Sequence, residues 1–212
     1  MARTDPRVVW GVGCHPRRAL AVRAFDRERF EELVASTPVV GEIGLDGASR
    51  VPRDAQLVAF RGALAVARER DRIVSIHPHR ATGAVLDELR RQPQVGAILH
   101  WWTGTVDETR EAVRLGCAFS VHRAVARRRI WLEVPRTALL VESDLGYAAA
   151  PGDIPSAIEA TERLLAARLG IEPTELREGG WRNLAALVAS TRTLGLFPLE
   201  FRDRLAAHSP GG

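Results

Sequence analysis

Val39-Val40-Gly41-Glu42-Ile43-Gly44-Leu45-Asp46 begins as a β-branched apolar run of strand length and ends on carboxylates set among glycines. Runs of the same kind stand before it at residues 8–13 and after it at 73–77, 95–100, 117–121 and 138–142, so the pattern predicts six strands. Helical periodicity fills the intervals at 26–35, 55–70, 81–92 and 106–115, is weaker at 124–133, and takes over from 156 to 196. Continuous apolar strands are buried on both faces, and helical connections of roughly 10 to 20 residues imply parallel pairing through right-handed crossovers. The expected fold class is α/β. Local chemistry agrees: Thr105 and Glu108 are spaced as a capping box, Gly116 stands where a left-handed stop belongs, and Asp26 can cap its own helix.

A chain of 212 residues with 46% hydrophobic content can close one sizeable core, and one domain over 1–212 is expected. No apolar run approaches the roughly 18 residues that span a bilayer, and the charged, Pro-containing start at 1–7 does not read as a secretory signal. No membrane attachment and a cytoplasmic location follow as expectations. Cys14 and Cys117 lie far apart outside any C-x-x-C spacing, which argues against a disulfide framework or zinc knuckle. All 30 cationic side chains are arginine and the net charge is +4. So uniform a bias reads as base composition, and the charge permits nucleic acid without establishing it. The run Arg127-Arg128-Arg129 reads as a solvated helix face rather than a phosphate contact. Gly/Pro-rich stretches at 149–155 and 209–212 read as a loop and a loose tail.

The polar residues fall where the strands end. His15 follows the first run, Glu42 lies within the second, His77 and His100 end the third and fourth, and Asp144 lies just past the sixth. In a parallel barrel or open sheet the carboxyl edge is where ligands bind. One histidine at a strand end is more often structural than a ligand, but five such groups converging on one mouth reverse that reading. Burying several ionisable groups together costs several kcal/mol each unless they pair or bind an ion. A divalent metal supplies the compensating charge, and imidazole with carboxylate suits Zn, Mn, Fe, Co or Ni better than Ca.

The segments Gly13-Cys14-His15-Pro16, Gly41-Glu42-Ile43-Gly44-Leu45-Asp46, Ser75-Ile76-His77, Leu99-His100-Trp101-Trp102-Thr103-Gly104 and Val141-Glu142-Ser143-Asp144 resemble, in order, the signatures of TatD-family hydrolases. The likeness runs from Val8 to Asp144, with a fainter echo at Arg182-Asn183-Leu184. It implies a TIM-type (β/α) barrel and a site for up to two divalent ions, with Mg added to the metals above. Carried over residue by residue, Glu42 bridges both ions, His77 and His100 complete one, and Asp144 binds the other and assists the nucleophilic water. Such a pair stabilises the charge that develops on a phosphodiester. The family's members are deoxyribonucleases, so the implied partner is DNA, single-stranded or frayed. Gly47 after the second segment, with Leu115-Gly116-Cys117-Ala118-Phe119-Ser120-Val121, is similar to the TatD-like nuclease of Qat anti-phage systems, which implies protein partners in a defence system.

Further residues are expected at the substrate. His15 hydrogen-bonds either the scissile phosphate or a loop carbonyl. The family places an arginine two positions after its metal histidine; here His79 stands there and Arg80 follows, so phosphate contact is weakened or moved to Arg80. Trp101 and Trp102 follow a ligand, and because neighbours in an extended segment point opposite ways, one should be buried and the other should stack on a base at the rim. His122, where relatives carry a small residue, is either an added site group or, the favoured reading, a capped loop residue, and His208 is read as uninvolved. Ser143 lacks the Gly-x-Ser-x-Gly of a nucleophile elbow.

The family opens with a strand bearing an Asp-x-His-x-His motif, followed by a second strand, and neither has a counterpart in this sequence. The expectation is an incomplete barrel of about six parallel strands, its first two β/α units missing, with the 8–13 strand at an edge. Open edges invite homo-oligomerisation, and the site should hold at most one ion tightly. The alternative is a catalytically weak barrel fragment that serves as a binding partner or arises from a misplaced start.

Overall fold

The computed structural model describes residues 8–146, 150 and 152–209. Among them, β1 (Val39–Gly44), β2 (Ile73–His77), β3 (Ala97–Leu99), β4 (Ala118–Val121) and β5 (Leu139–Val141) form one sheet in the order β1-β2-β3-β4-β5. Every pairing is parallel. The crossovers are α3 (Arg53–Glu69), α4 (Thr82–Arg91) and α5 (Val106–Arg114), preceded by α1 (Ala19–Arg23) and α2 (Arg27–Val34) and followed by α6 (Asp153–Leu169), α7 (Pro173–Ser190) and α8 (Leu199–Ala206).

Alternation along the strands sends side chains to two faces, each carrying an apolar cluster. Val74 and Ile76 on β2, and Ala97 and Leu99 on β3, enter the main core with Phe60, Ala63, Leu64 and Ala67 of α3. Their neighbours Ile73 and Ile98 face the opposite way, into a second cluster with Val188 of α7, Phe197 and Leu205 of α8. That second face also carries His77 at the end of β2 and His100 just beyond β3. The register between strands then brings Gly44 beside His77 and Ile76 beside Leu99, which aligns the polar ends. Gly44 has φ 139°, and a Cβ there would stand 2.3 Å from the His77 carbonyl oxygen. Only glycine lets β1 and β2 meet so closely at the polar edge.

Two elements depart from the sequence expectation. Residues 8–13 do not form a sixth strand: they contribute one parallel bridge, Val12 to Val40, through Val12 N to Val39 O at 3.2 Å and Gly41 N to Val12 O at 2.8 Å. Gly11 and Gly13 flank that bridge and weaken the strand, yet a Cβ at Gly13 would lie 2.4 Å from Gly41 C, so the segment is fixed at the β1 edge by close backbone packing. Residues 124–133 likewise form no α-helix, only turns and a 3-10 helix at Arg129–Leu132. Trp131, fully buried, ties its Nε1 to Val125 O at 2.7 Å. The arginine run therefore shares no helix face: Arg128 donates to Gly104 O at 3.0 Å, while Arg127 O accepts from Arg168 Nε at 3.0 Å.

Elsewhere the local signals hold. Asp26 caps α2 through Arg29 N, Thr105 and Glu108 form the capping box of α5, and Gly116 has φ 76°. The expected 149–155 loop is shorter, because Asp153 to Pro155 are already the first turn of α6; 149, 151 and 210–212 lie outside the described residues. The helices α1 and α8 were not expected.

Candidate metal centre

Glu42 is the hub. Its Oε1 lies 3.1 Å from His77 Nδ1 and 3.5 Å from His100 Nε2, and its Oε2 lies 3.8 Å from His15 Nε2. Asp144 Oδ1 stands 3.8 Å from His100 Nε2. Two groups of three can each present ligand atoms within 4.8 Å of one another: His15, Glu42 and His77, and Glu42, His100 and Asp144. Glu42 belongs to both. The two ring planes of His77 and His100 lie 24° apart with centroids at 6.3 Å.

Each of these rings is braced from behind by a carboxylate. His77 Nε2 meets Asp46 Oδ2 at 3.0 Å, and His100 Nδ1 meets Glu142 Oε2 at 2.6 Å. Asp46 is itself fixed, its Oδ1 accepting from Ala48 N at 2.7 Å and its own N–H donating to Gln56 Oε1 at 2.8 Å. Glu142 also accepts from Trp101 N at 2.9 Å and from Ser120 Oγ. With the outer nitrogen of each ring committed as a donor, a neutral ring turns a lone pair toward Glu42. Lone pairs facing a carboxylate at 3.1 and 3.5 Å repel unless a proton or a metal ion stands among them. Outer-shell carboxylates of this kind orient ligating histidines, so the donor set fits a divalent ion.

The charges respond accordingly. Burial disfavours a charged His100, but the bond from Glu142 and the nearby Glu42 and Asp144 outweigh it and raise its pKa to about 8. Glu42 is pushed up by burial and pulled further down by the His77 bond and the charges of His100, His77 and His15, ending below the usual carboxylate range. Asp46 follows the same balance, with His77 and Ala48 N outweighing burial. Asp144 goes the other way: burial, then Glu42 and Glu142, raise it despite His100. Burial lowers His15. Its Nδ1 accepts from Arg17 N at 3.1 Å, so a neutral His15 carries its proton on Nε2 and faces the site as a donor.

A cavity of about 420 Å³ is lined by His15, Glu42, His77, His79, His100, Trp101 and Asp144, with Asp46 and Arg17. Seven residues singled out in the sequence thus share one mouth. Two do not. Arg80 lines a neighbouring cleft with Arg53 and Gly83. Trp102 is fully buried and spends its Nε1 on Thr109 Oγ1 at 2.8 Å, so it has no surface to offer a substrate. Sequence reading gave no role to Asp46 or Glu142, although both obey the carboxyl-end rule that singled out the others. Asp46 sits two residues after β1 and Glu142 directly after β5.

The family model for TatD-related DNases matches residues 1–189. The chain is 31% identical over 147 residues to the uncharacterized metal-dependent hydrolase YabD of Bacillus subtilis (strain 168), covering 64% of this chain and 58% of that protein. It is 32% identical over 162 residues to the 3'-5' ssDNA/RNA exonuclease TatD of Edwardsiella piscicida, covering 69% and 62%. The chain thus spans about three fifths of the length of these relatives. In architecture it superposes on the crystal structure of YJJV, a TatD homolog from Escherichia coli K12, with a TM-score of 0.76 at 20% identity over 88% of this chain and 78% of that one. The hydrolase TatD family protein from Entamoeba histolytica gives 0.69 at 15% identity, over 84% and 74%. The five-stranded parallel sheet is therefore the sheet of this barrel fold, open among the described residues.

Proposed function

This chain belongs to the family of TatD-related DNases, and from that premise we propose that it is a metal-dependent phosphodiesterase acting on single-stranded or frayed DNA. The observation that carries the proposal is the convergence of His77 Nδ1 and His100 Nε2 on one oxygen of Glu42, each ring braced by a carboxylate. Glu42, His77, His100 and Asp144 are the proposed ligands. A divalent ion held there supplies Lewis acidity toward a phosphoryl oxygen and lowers the pKa of water.

The remaining chemistry falls to the chain itself. Asp144 lines the cavity beside His100, where its carboxylate is placed to take a proton from the nucleophilic water. His15 donates from Nε2 to a phosphate oxygen. This is why we assign it to substrate rather than to the ion, although it can be grouped with Glu42 and His77. His79 and Trp101 line the same cavity and are proposed to contact the strand, Arg80 to meet a phosphate farther along it. Glu42 supplies negative charge between the two rings that Asp46 and Glu142 orient.

The finer reading is a single domain that works in the cytoplasm as part of an anti-phage system; Gly47 and the 115–121 segment support that branch. Self-association through the sheet edges is proposed with it, and one ion per chain is proposed to be held tightly. No described helix is long and apolar enough to cross a membrane. The alternative is a barrel that binds DNA or a protein without cutting.

Hydrolysis of a labelled single-stranded oligonucleotide, with Mn²⁺, Mg²⁺, Zn²⁺, Co²⁺ or Ni²⁺ added singly to chelator-treated protein, tests the proposal. Cleavage that returns with at least one metal and is weaker on blunt duplex is the expected result. Absence of cleavage with every metal would leave the non-cutting alternative in its place.

A further inference from the structure

His122 directly follows β4, where the sequence favours a capped loop residue over an added site group, and its Nδ1 does accept from Ala124 N at 3.2 Å. The structure adds a contact that the sequence did not suggest. The imidazole lies against the Trp101 indole with ring centroids 3.8 Å apart and planes tilted by 34°. Trp101 lines the metal cavity, whereas His122 lines a separate cleft with Arg123, Ser143 and Ser156. Trp101 therefore lines the cavity of the proposed metal site while its indole rests against a residue of the neighbouring cleft.

Trp101 is held at its other points too. Its backbone N–H donates to Glu142, the same carboxylate that braces His100. Its φ of 39° lies in the left-handed region, which bulky residues rarely occupy without compensating contacts. The next residue, Trp102, is locked in the core. An aromatic surface fixed in this way loses little freedom when a second aromatic stacks on it. Stacking on an indole is tolerant of sequence because every base has a π-face, but it requires that the base be out of a duplex.

We propose that His122 is a positioning residue that backs Trp101, so that the indole forms a one-sided shelf for an unpaired nucleobase beside the metal centre. The inference rests on the phosphodiesterase reading for the placement of the strand. The shelf selects for single-stranded ends, and it would hold the base of the nucleotide next to the bond that is cut.

The test compares two phosphorothioate oligonucleotides, one intact and one abasic at its terminal nucleotide, by fluorescence anisotropy with the full chain in Mn²⁺. Hydrolysis of the matching phosphodiester strands is followed in parallel. The wild-type chain should bind the intact strand between about fivefold and a hundredfold more tightly than the abasic one. Trp101→Ala should abolish that ratio. His122→Ala should reduce it about two- to tenfold, with the loss appearing in KM rather than kcat and a change in Trp101 emission, and His122→Phe should restore it. An unchanged ratio in His122→Ala, or a failure of His122→Phe to rescue a reduced one, overturns the proposal, as does a wild-type chain that cuts both strands without distinguishing them; in that last case the phosphodiesterase reading stands. Discrimination of the intact strand without metal-dependent cleavage supports the shelf and removes the phosphodiesterase reading instead. No binding of either strand removes both.

Discussion

The two histidine arms of the centre are built to one plan and differ in how their braces are anchored. His77 is backed by Asp46, which is 1% exposed and tied to the backbone at Ala48 and, through its own N–H, to Gln56. His100 is backed by Glu142, which holds no such loop and instead gathers Ser120, Trp101 N and the imidazole. The first arm is fixed by the fold of the β1–α3 loop. The second is fixed by charge, and the raised pKa of His100 records it. The comparison teaches that two carboxylates can orient their imidazoles alike while one is anchored by its own loop and the other by the separate groups it gathers.

The largest effect should come from removing what the arms share. Glu42→Ala should abolish metal-dependent hydrolysis and detectable metal binding at micromolar ion, read by gel assay and calorimetry. Retention of metal by this variant would mean that the arms are independent sites.

Much of this was legible in the sequence because barrel chemistry collects at strand ends. His77 and His100 could be found by asking which residue terminates an apolar run, Glu42 as a carboxylate near the end of one and Asp144 as a carboxylate just past one. The second rank was less visible. Asp46 lies past the strand in a loop whose path depends on Gln56, and Glu142 is a strand-end carboxylate whose partner is 42 residues away in sequence. Nothing in a single sequence states that partnership. The 8–13 segment reads as a strand because its β-branched residues outweigh two glycines in the pattern, yet Gly11 and Gly13 add backbone entropy to be lost and no side chains to pack. The 124–133 helix failed for a tertiary reason, the burial of Ile130 and Trp131 around a turn.

Next in size, removing the braces should separate the arms. Asp46→Asn and Glu142→Gln should each weaken metal affinity or activity by about ten- to hundredfold. Asp46→Asn keeps an oxygen for Ala48 N but perturbs the loop, so its thermal midpoint should fall as well. If Asp46→Asn loses metal affinity with no change in stability, the two braces act alike and the contrast between them disappears.

A smaller pH response should come from His100. A divalent ion must displace the proton from His100, so metal affinity should fall by about tenfold per pH unit as pH drops below about 8. The metal-free protein should show the opposite trend. The folded pKa of about 8 exceeds the ordinary value of 6.5, so this group's contribution to stability is complete below 6.5 and is lost as pH rises through about 8. In Glu142→Gln both trends should flatten, as followed by calorimetry and by thermal unfolding across pH 6 to 9. Unaltered slopes in that variant would show that Glu142 does not hold the proton.

The claim beneath all of this is that Glu42 and the two braced histidines hold a divalent metal ion. Elemental analysis of the full chain, purified and dialysed against metal-free buffer after loading, tests it most directly. The account predicts one tightly held ion per chain for the wild type, and substoichiometric metal in His77→Ala and His100→Ala whose folding is intact by circular dichroism. A wild-type chain that retains no ion, or both variants retaining a full equivalent, would contradict it.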